Sequence, residues 1–313
     1  MAKKELNKKS VTGSINFQKW FGGSKIVDEN NHPLVVFHAT THKFYEFTRE
    51  RGNVESYFGL GYYFTDSRLD AESNYLSGGA DLTNRIVKLA ENLSDDGLAN
   101  EKAKKKAEKL LKGKHEIVLP FYLKMVNPLN ITLDKETATR YDALESEDED
   151  GNYVENNDSL PMKLYEAIMR VSYGFYDNDI DAQGLFSSIA EKIGDWDYTM
   201  AYHVDKAFRE SEYLMDINDN EGNLAGYEFI RQVYEEMGFD GIIMDAYNEF
   251  GGGRKYGVAM RMEEGTKHYI VFEPNQIKLA DGKNTTFDEN NPDIRFGKGG
   301  NTPSEFEYSI GGL

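Results

Sequence analysis

The chain has no cysteine among its 313 residues. That excludes disulfides, thiolate-held metals and a cysteine nucleophile together, and it fits a reducing compartment. Tryptophan is nearly absent, with 2 residues against 20 Tyr and 18 Phe, so many of the rings here carry a polar end. No apolar run approaches the ~20 residues that span a bilayer. The Lys-rich stretch 1–10 lacks the apolar centre of a secretory signal. Positive charge is scarce: 36 Lys and Arg face 54 Asp and Glu, for a formal net charge of −18. Such a surface repels nucleic-acid phosphates and anionic membranes, so neither is an expected partner. A dianionic ligand would also be repelled unless backbone N–H groups or a few basic residues compensate locally.

What is present suits a folded, soluble protein. Hydrophobic residues at 39% and charged residues at 29% allow a sizeable core. Residues 1–13 read as a basic tail. Ile15, Phe17, Trp20 and Phe21 form an apolar cluster that ends at Gly22-Gly23. Asp28 to Pro33 is rich in turn formers and predicts a hairpin. Leu34 to Phe37 predicts a buried strand with His38 at its end. Tyr62 to Thr65 predicts a second strand, and Asp66 or Ser67 can cap a helix through Tyr75. Residues 82–112 read as helical and Ile117 to Met125 as a strand.

The acidic run Glu145 to Asp150 reads as a loop. Residues 159–214 read mainly as helix, with Leu164, Ile168 and Val171 at helical spacing. A helix over Tyr227 to Met237 is expected to stop at Gly238. Ile242 to Met244, Val258 to Met262 and Tyr269 to Phe272 predict strands, with Glu263-Glu264-Gly265-Thr266 turning the last two into a hairpin. Residues 298–313 read as a loose tail. Strands at both ends and helices between them predict an α+β fold. It is expected as one domain over residues 14–297, with a mainly helical insertion at 136–224.

Three separated segments carry the chemistry. They are Val36-Phe37-His38-Ala39-Thr40, Phe58-Gly59-Leu60-Gly61-Tyr62-Tyr63-Phe64-Thr65-Asp66 with Asn74-Tyr75, and Lys267-His268-Tyr269-Ile270-Val271-Phe272-Glu273. Together they resemble the split dinucleotide site of the diphtheria-toxin-like and poly(ADP-ribose)-polymerase-like ADP-ribosyltransferases. Trp20-Phe21-Gly22, Asn127-Pro128-Leu129, Gly238-Phe239-Asp240-Gly241 and Asn291-Pro292-Asp293-Ile294-Arg295-Phe296 narrow the resemblance to the transferase domains of phage and mobile-element polyvalent proteins.

The resemblance implies a split antiparallel β-sheet core with flanking helices, and NAD as substrate with no metal. His38 would bind the adenosine ribose and Ala39 would clamp the nicotinamide amide through its backbone, with Thr40 adding a hydroxyl. Tyr63, Phe64 and Tyr75 would hold the nicotinamide half. Where that family carries its catalytic glutamate, this chain has His268, which as a neutral imidazole would accept a hydrogen bond from the nicotinamide-ribose hydroxyl; with His38 and Tyr63 it completes the expected catalytic set. Strand alternation puts 268, 270 and 272 on one face and 269, 271 and 273 on the other, so Glu273 is a poor substitute. The implied activity is mono-ADP-ribosylation of a bacterial host protein in the cytoplasm. An inactive NAD-binding module and an NAD glycohydrolase are the alternatives.

Two further motifs read as structural. Asp177-x-Asp179-x-Asp181 lacks the glycine and bidentate glutamate of a calcium loop and reads as surface. Gly59-x-Gly61 precedes a strand rather than a helix and is no Rossmann fingerprint.

Overall fold

A computed structural model describes residues 11–49, 52, 56–76, 79–95, 97–112, 116–141, 145–147, 153–155, 158–196, 199–250, 254–255, 258–282 and 287–295. The tail at 298–313 and the first ten residues of the basic tail lie outside them.

Seven strands form the central sheet: β1 (Val36–Thr40), β2 (Tyr62–Thr65), β3 (Ile117–Leu123), β4 (Pro128–Ile131), β5 (Gly241–Asp245), β6 (Lys267–Val271) and β7 (Ile277–Leu279). Their order is β7-β3-β1-β2-β6-β5-β4. The β4–β5 pair is parallel and the others antiparallel, so the sheet is mixed rather than purely antiparallel. β1 runs in register with β3 from Val36–Phe121 to Thr40–Ile117, yet it meets β2 through the pair Phe37–Thr65. The sheet is thus least zipped between the strand that ends in the His38 motif and the strand that carries Tyr63.

Each face of the sheet has its own core, as alternating residues require. On one face Ile270, Phe272, Ile242 and Met244 pack with the helices α5 (Leu160–Ser172), α6 (Ala182–Ile193), α7 (Ala201–Arg209) and α8 (Gly226–Glu236). On the other, Tyr269, Val271, Tyr62 and Phe64 pack with Phe47, Phe121 and Ile294. The N-terminal helix α1 (Ile15–Phe21) adds a ring cluster of Phe17, Trp20 and Phe21 against Phe287. Helices α2 (Arg68–Tyr75), α3 (Ala80–Asp95) and α4 (Asn100–Leu111) follow β2 in sequence.

Several local expectations change. The hairpin at Asp28 to Pro33 is reduced to one bridge, Val27 with Pro33. The 82–112 stretch is two helices. The acidic run is not simply a loop: Glu145–Glu147 pairs with Tyr153–Glu155, and residues 148–150 lie outside the described set. Val258 to Met262 does not form a hairpin with β6. Val258–Ala259 pairs with Arg254–Lys255, and β6 takes β2 and β5 as neighbours instead. The turn itself is real, with Thr266 N–H on the Glu263 carbonyl; long-range partners decided what it connects. Asp181 N-caps α6 by accepting from Gly184 N–H, which gives the Asp177–Asp181 run a structural use.

Candidate functional site

The loop before β2 is pinned from below. Gly59 has φ +64, and a Cβ there would sit 2.6 Å from Glu228 Oε2. Leu60 N–H donates to that same carboxylate oxygen at 2.8 Å. Glu228 is held by Arg231 Nη2 at 2.6 Å, with both side chains about 1% exposed. Burial would raise the Glu228 carboxyl, but the bonds and charge of Arg231, with Gln232 and the Leu60 amide, outweigh it and hold the pKa below the usual range. A Cβ at Gly61 would come 2.3 Å from Ile270 Cγ2. The glycines are therefore needed because a helix and a strand pass directly against this loop.

Tyr63 and Tyr62 point to opposite faces, as the alternation predicts: Tyr62 joins one core and Tyr63 packs against the other. The Tyr63 hydroxyl accepts from Phe58 N–H at 2.8 Å and donates to Gly59 O at 3.0 Å. It staples its own loop. Its role is thus first to shape the loop, which the motif alone did not reveal.

His38 crosses the poorly zipped seam. Its Nδ1 lies 2.8 Å from the Tyr63 carbonyl, which can only accept, so Nδ1 carries the proton. The ring sits among Phe44, Phe47, Phe64 and Phe121, at centroid distances of 5.1 to 6.5 Å. Burial lowers the imidazole pKa; the Tyr63 carbonyl opposes this and the charge of Arg85 adds to it. The neutral ring therefore presents Nε2 as an acceptor. Phe64 is 3% exposed, and its ring packs beside that of His38 at 5.5 Å. Thr40 Oγ1 donates to His42 O at 3.1 Å and accepts from His42 N–H at 3.2 Å, so its hydroxyl serves a local turn. Ala39 is half-buried on β1.

Tyr75 and His268 meet on the opposite face from the His38 ring. Ser67, not Asp66, caps α2 by accepting from Asp70 N–H; Asp66 instead accepts from Lys267 N–H at 3.0 Å. The helix brings Asp70, Asn74 and Tyr75 over β6. The Tyr75 and His268 rings are 6.0 Å apart, edge to face. His268, 5% exposed, places Nε2 2.8 Å from Asp70 Oδ2. Asn74 Nδ2 donates to Asp70 Oδ1 at 2.6 Å, and Asn74 is tied to the backbone of Arg261 on both sides. Burial pushes the Asp70 carboxyl up, but hydrogen bonds and charge from His268, with bonds from Asn74 and Thr65, win and hold it low. Tyr75 is pushed well up by burial and by the charges of Asp70 and Asp81, with Tyr63 adding to the effect.

Glu273 lies outside this group. It is exposed, caps the short turn Pro274–Gln276 and pairs with Arg49. The sequence reading missed Asp70 and Arg85, and quoted Asn74 without a role. An Asp-x-x-x-Asn pair at one-turn spacing was visible, but nothing local said that the first would meet residue 268. No group of His, Asp and Glu able to hold a metal occurs among the described residues.

A seven-stranded mixed sheet with a histidine across its least-paired seam, a glycine loop ending in a tyrosine strand, and a second tyrosine beside the last long strand is consistent with an ADP-ribosyltransferase fold. The sequence model of the family "ADP-ribosyltransferase in polyvalent proteins" matches residues 28–287, and the chain belongs to that family. No curated protein and no solved structure matches it. Family membership supports ADP-ribose transfer in general, and ADP-ribosyltransferases use NAD as substrate. No helix among the described residues is long and apolar enough to cross a membrane.

Proposed function

We propose that the protein is a mono-ADP-ribosyltransferase that transfers ADP-ribose from NAD to a protein target. The observation that carries this is His38: a neutral ring, fixed by the Tyr63 carbonyl, with an acceptor nitrogen at the least-paired seam of the sheet. That nitrogen suits a ribose hydroxyl donor. Ala39 beside it offers backbone groups for the nicotinamide amide, and Tyr75 offers a ring. Arg85, exposed on α3 and close enough for its charge to act on His38, is the cation to offset the pyrophosphate on a chain of net charge −18.

In the reaction the bond from ribose C1′ to nicotinamide breaks and a bond from C1′ to the acceptor atom forms. Nicotinamide leaves neutral and the acceptor releases one proton. The cationic leaving group makes departure possible with little acid help, and hydrogen bonds to the ribose that tighten as positive charge develops lower the barrier. The residue at the family's glutamate position here donates Nε2–H to Asp70, so the carboxylate bonded at that position comes from α2 rather than from β6 itself.

The test is incubation with isotope-labelled NAD and bacterial lysate. A discrete labelled protein with matching nicotinamide release is expected; a ladder of polymer would exclude mono-transfer. The His268–Asp70 pair also favours a second reading, a module that holds NAD without turnover. Calorimetry showing NAD binding with no nicotinamide release would select it.

A further inference from the structure

A cavity of about 300 Å³ lies beside the site and shares with it only Phe58, at the start of the glycine loop. Its floor includes Met244 on β5. Met244 stands directly opposite His268 in the β5–β6 register, so the two side chains are on one sheet face, about 5 Å apart strand to strand. The cavity is therefore one strand beyond His268, on the side away from β2.

Its lining has two properties. The first is aromatic: Tyr57, Tyr202 and Tyr227 contribute rings. This wall already packs against a planar cation of the chain's own, since Arg209 lies 4.2 Å from the Tyr57 ring, 4.1 Å from that of Phe58 and 5.2 Å from that of Tyr227, which leaves Tyr202 as the tyrosine that Arg209 does not cover. Arg209 is itself satisfied by Asp205, through Nε and Nη2 at 2.8 Å each. The second property is charge. With the Asp205–Arg209 pair internally neutralised, Glu210, Asp245 and Glu249 remain against Lys206. Tyr57 donates to Glu249 Oε1 at 2.8 Å, which orients that carboxylate without neutralising it.

We infer that this cavity is a recognition subsite for an arginine side chain of the protein target. Carboxylates supply charge-assisted bonds to a guanidinium, the Tyr202 ring supplies cation–π attraction, and the net charge of −18 steers a basic surface toward the chain. The role with a protein target rests on the transferase reading; binding of a guanidinium does not.

The probe is agmatine, read through isotope-labelled methionine methyl groups, with Met244 assigned by the Met244→Leu variant. Agmatine is expected to shift the Met244 methyl saturably. Pentylamine should bind more weakly, and glutarate should not shift it. Glu249→Gln should weaken agmatine binding about three-fold, and Lys206→Glu, at an exposed helix position that leaves folding intact, should tighten it about two-fold. No Met244 shift, an equal shift with glutarate, or an affinity indifferent to both variants overturns the proposal. Nicotinamide release from NAD by the unaltered protein is measured alongside. Release without an agmatine shift removes the subsite and leaves the transferase; an agmatine shift without release keeps the guanidinium site and removes its role with a target of transfer.

Discussion

His268 Nε2 lies 2.8 Å from Asp70 Oδ2, and the Asp70 side chain is fully buried. A carboxylate only accepts, so this nitrogen is a donor, and the ring is anchored to α2. His268→Leu should cost about 1.5–3 kcal/mol, as expected for losing a hydrogen bond to a charged group. His268→Gln keeps a donor and should cost less. His268→Glu sets a second carboxylate against Asp70, so one must take a proton. That variant should gain no nicotinamide release alone, and should gain it with Asp70→Asn. Its melting-temperature deficit should shrink on acidification. Wild type behaves oppositely: the Asp70 carboxyl is held below its ordinary 3.8, so its stabilisation is full above that value and lost as pH falls through the lower, folded-state pKa. Equal stability of His268→Leu and wild type in urea would remove this account.

His38 titrates below its ordinary 6.5. NAD binding that needs its neutral ring should therefore be level down to about pH 6.5 and weaken only below it. The same depression means that its contribution to stability is complete above the unfolded pKa and is lost as pH falls through the folded one. Nitrogen NMR should show the proton on Nδ1 at neutral pH; a proton on Nε2 would contradict the bond to the Tyr63 carbonyl.

Arg85→Gln should weaken NAD about two- to five-fold, in keeping with an exposed charge contact worth ~0.4–1 kcal/mol. The salt dependence of binding should also flatten. Unchanged affinity at low salt would take Arg85 out of the site.

Gly59→Ala places a methyl against Glu228 in a backbone conformation with φ +64. Left-handed strain of about 1 kcal/mol adds to the clash and to loss of the Leu60 amide contact with Glu228. A loss of at least ~2 kcal/mol in urea unfolding is expected, with weaker NAD binding because Tyr63 bonds this loop. A silent substitution would mean that the loop is not pinned.

Much of this was legible in the residues. Periodicity located the strands of β1, β2, β5 and β6 and the helix α8, because short β-branched runs and helical spacing report local preference directly. Strand alternation correctly set Tyr62 against Tyr63 and separated His268 from Glu273. The hairpin at Glu263 to Thr266 failed because a turn constrains four residues and says nothing of which distant strand offers the better partner. The surroundings of Phe64 were not legible for the same reason: a ring inside a motif can face ligand or core, and the rings of Phe47 and Phe121 pack against it here.

The sequence by itself determined the family, the two-sided strands, the absence of cysteine chemistry and the histidine in a glutamate's place. Only the tertiary structure decided what that histidine does. Asp70 and His268 are 198 residues apart, and no local rule couples them. Packing α2 across the sheet buries the carboxylate, and a buried carboxylate must find donors. The one that β6 offers is His268.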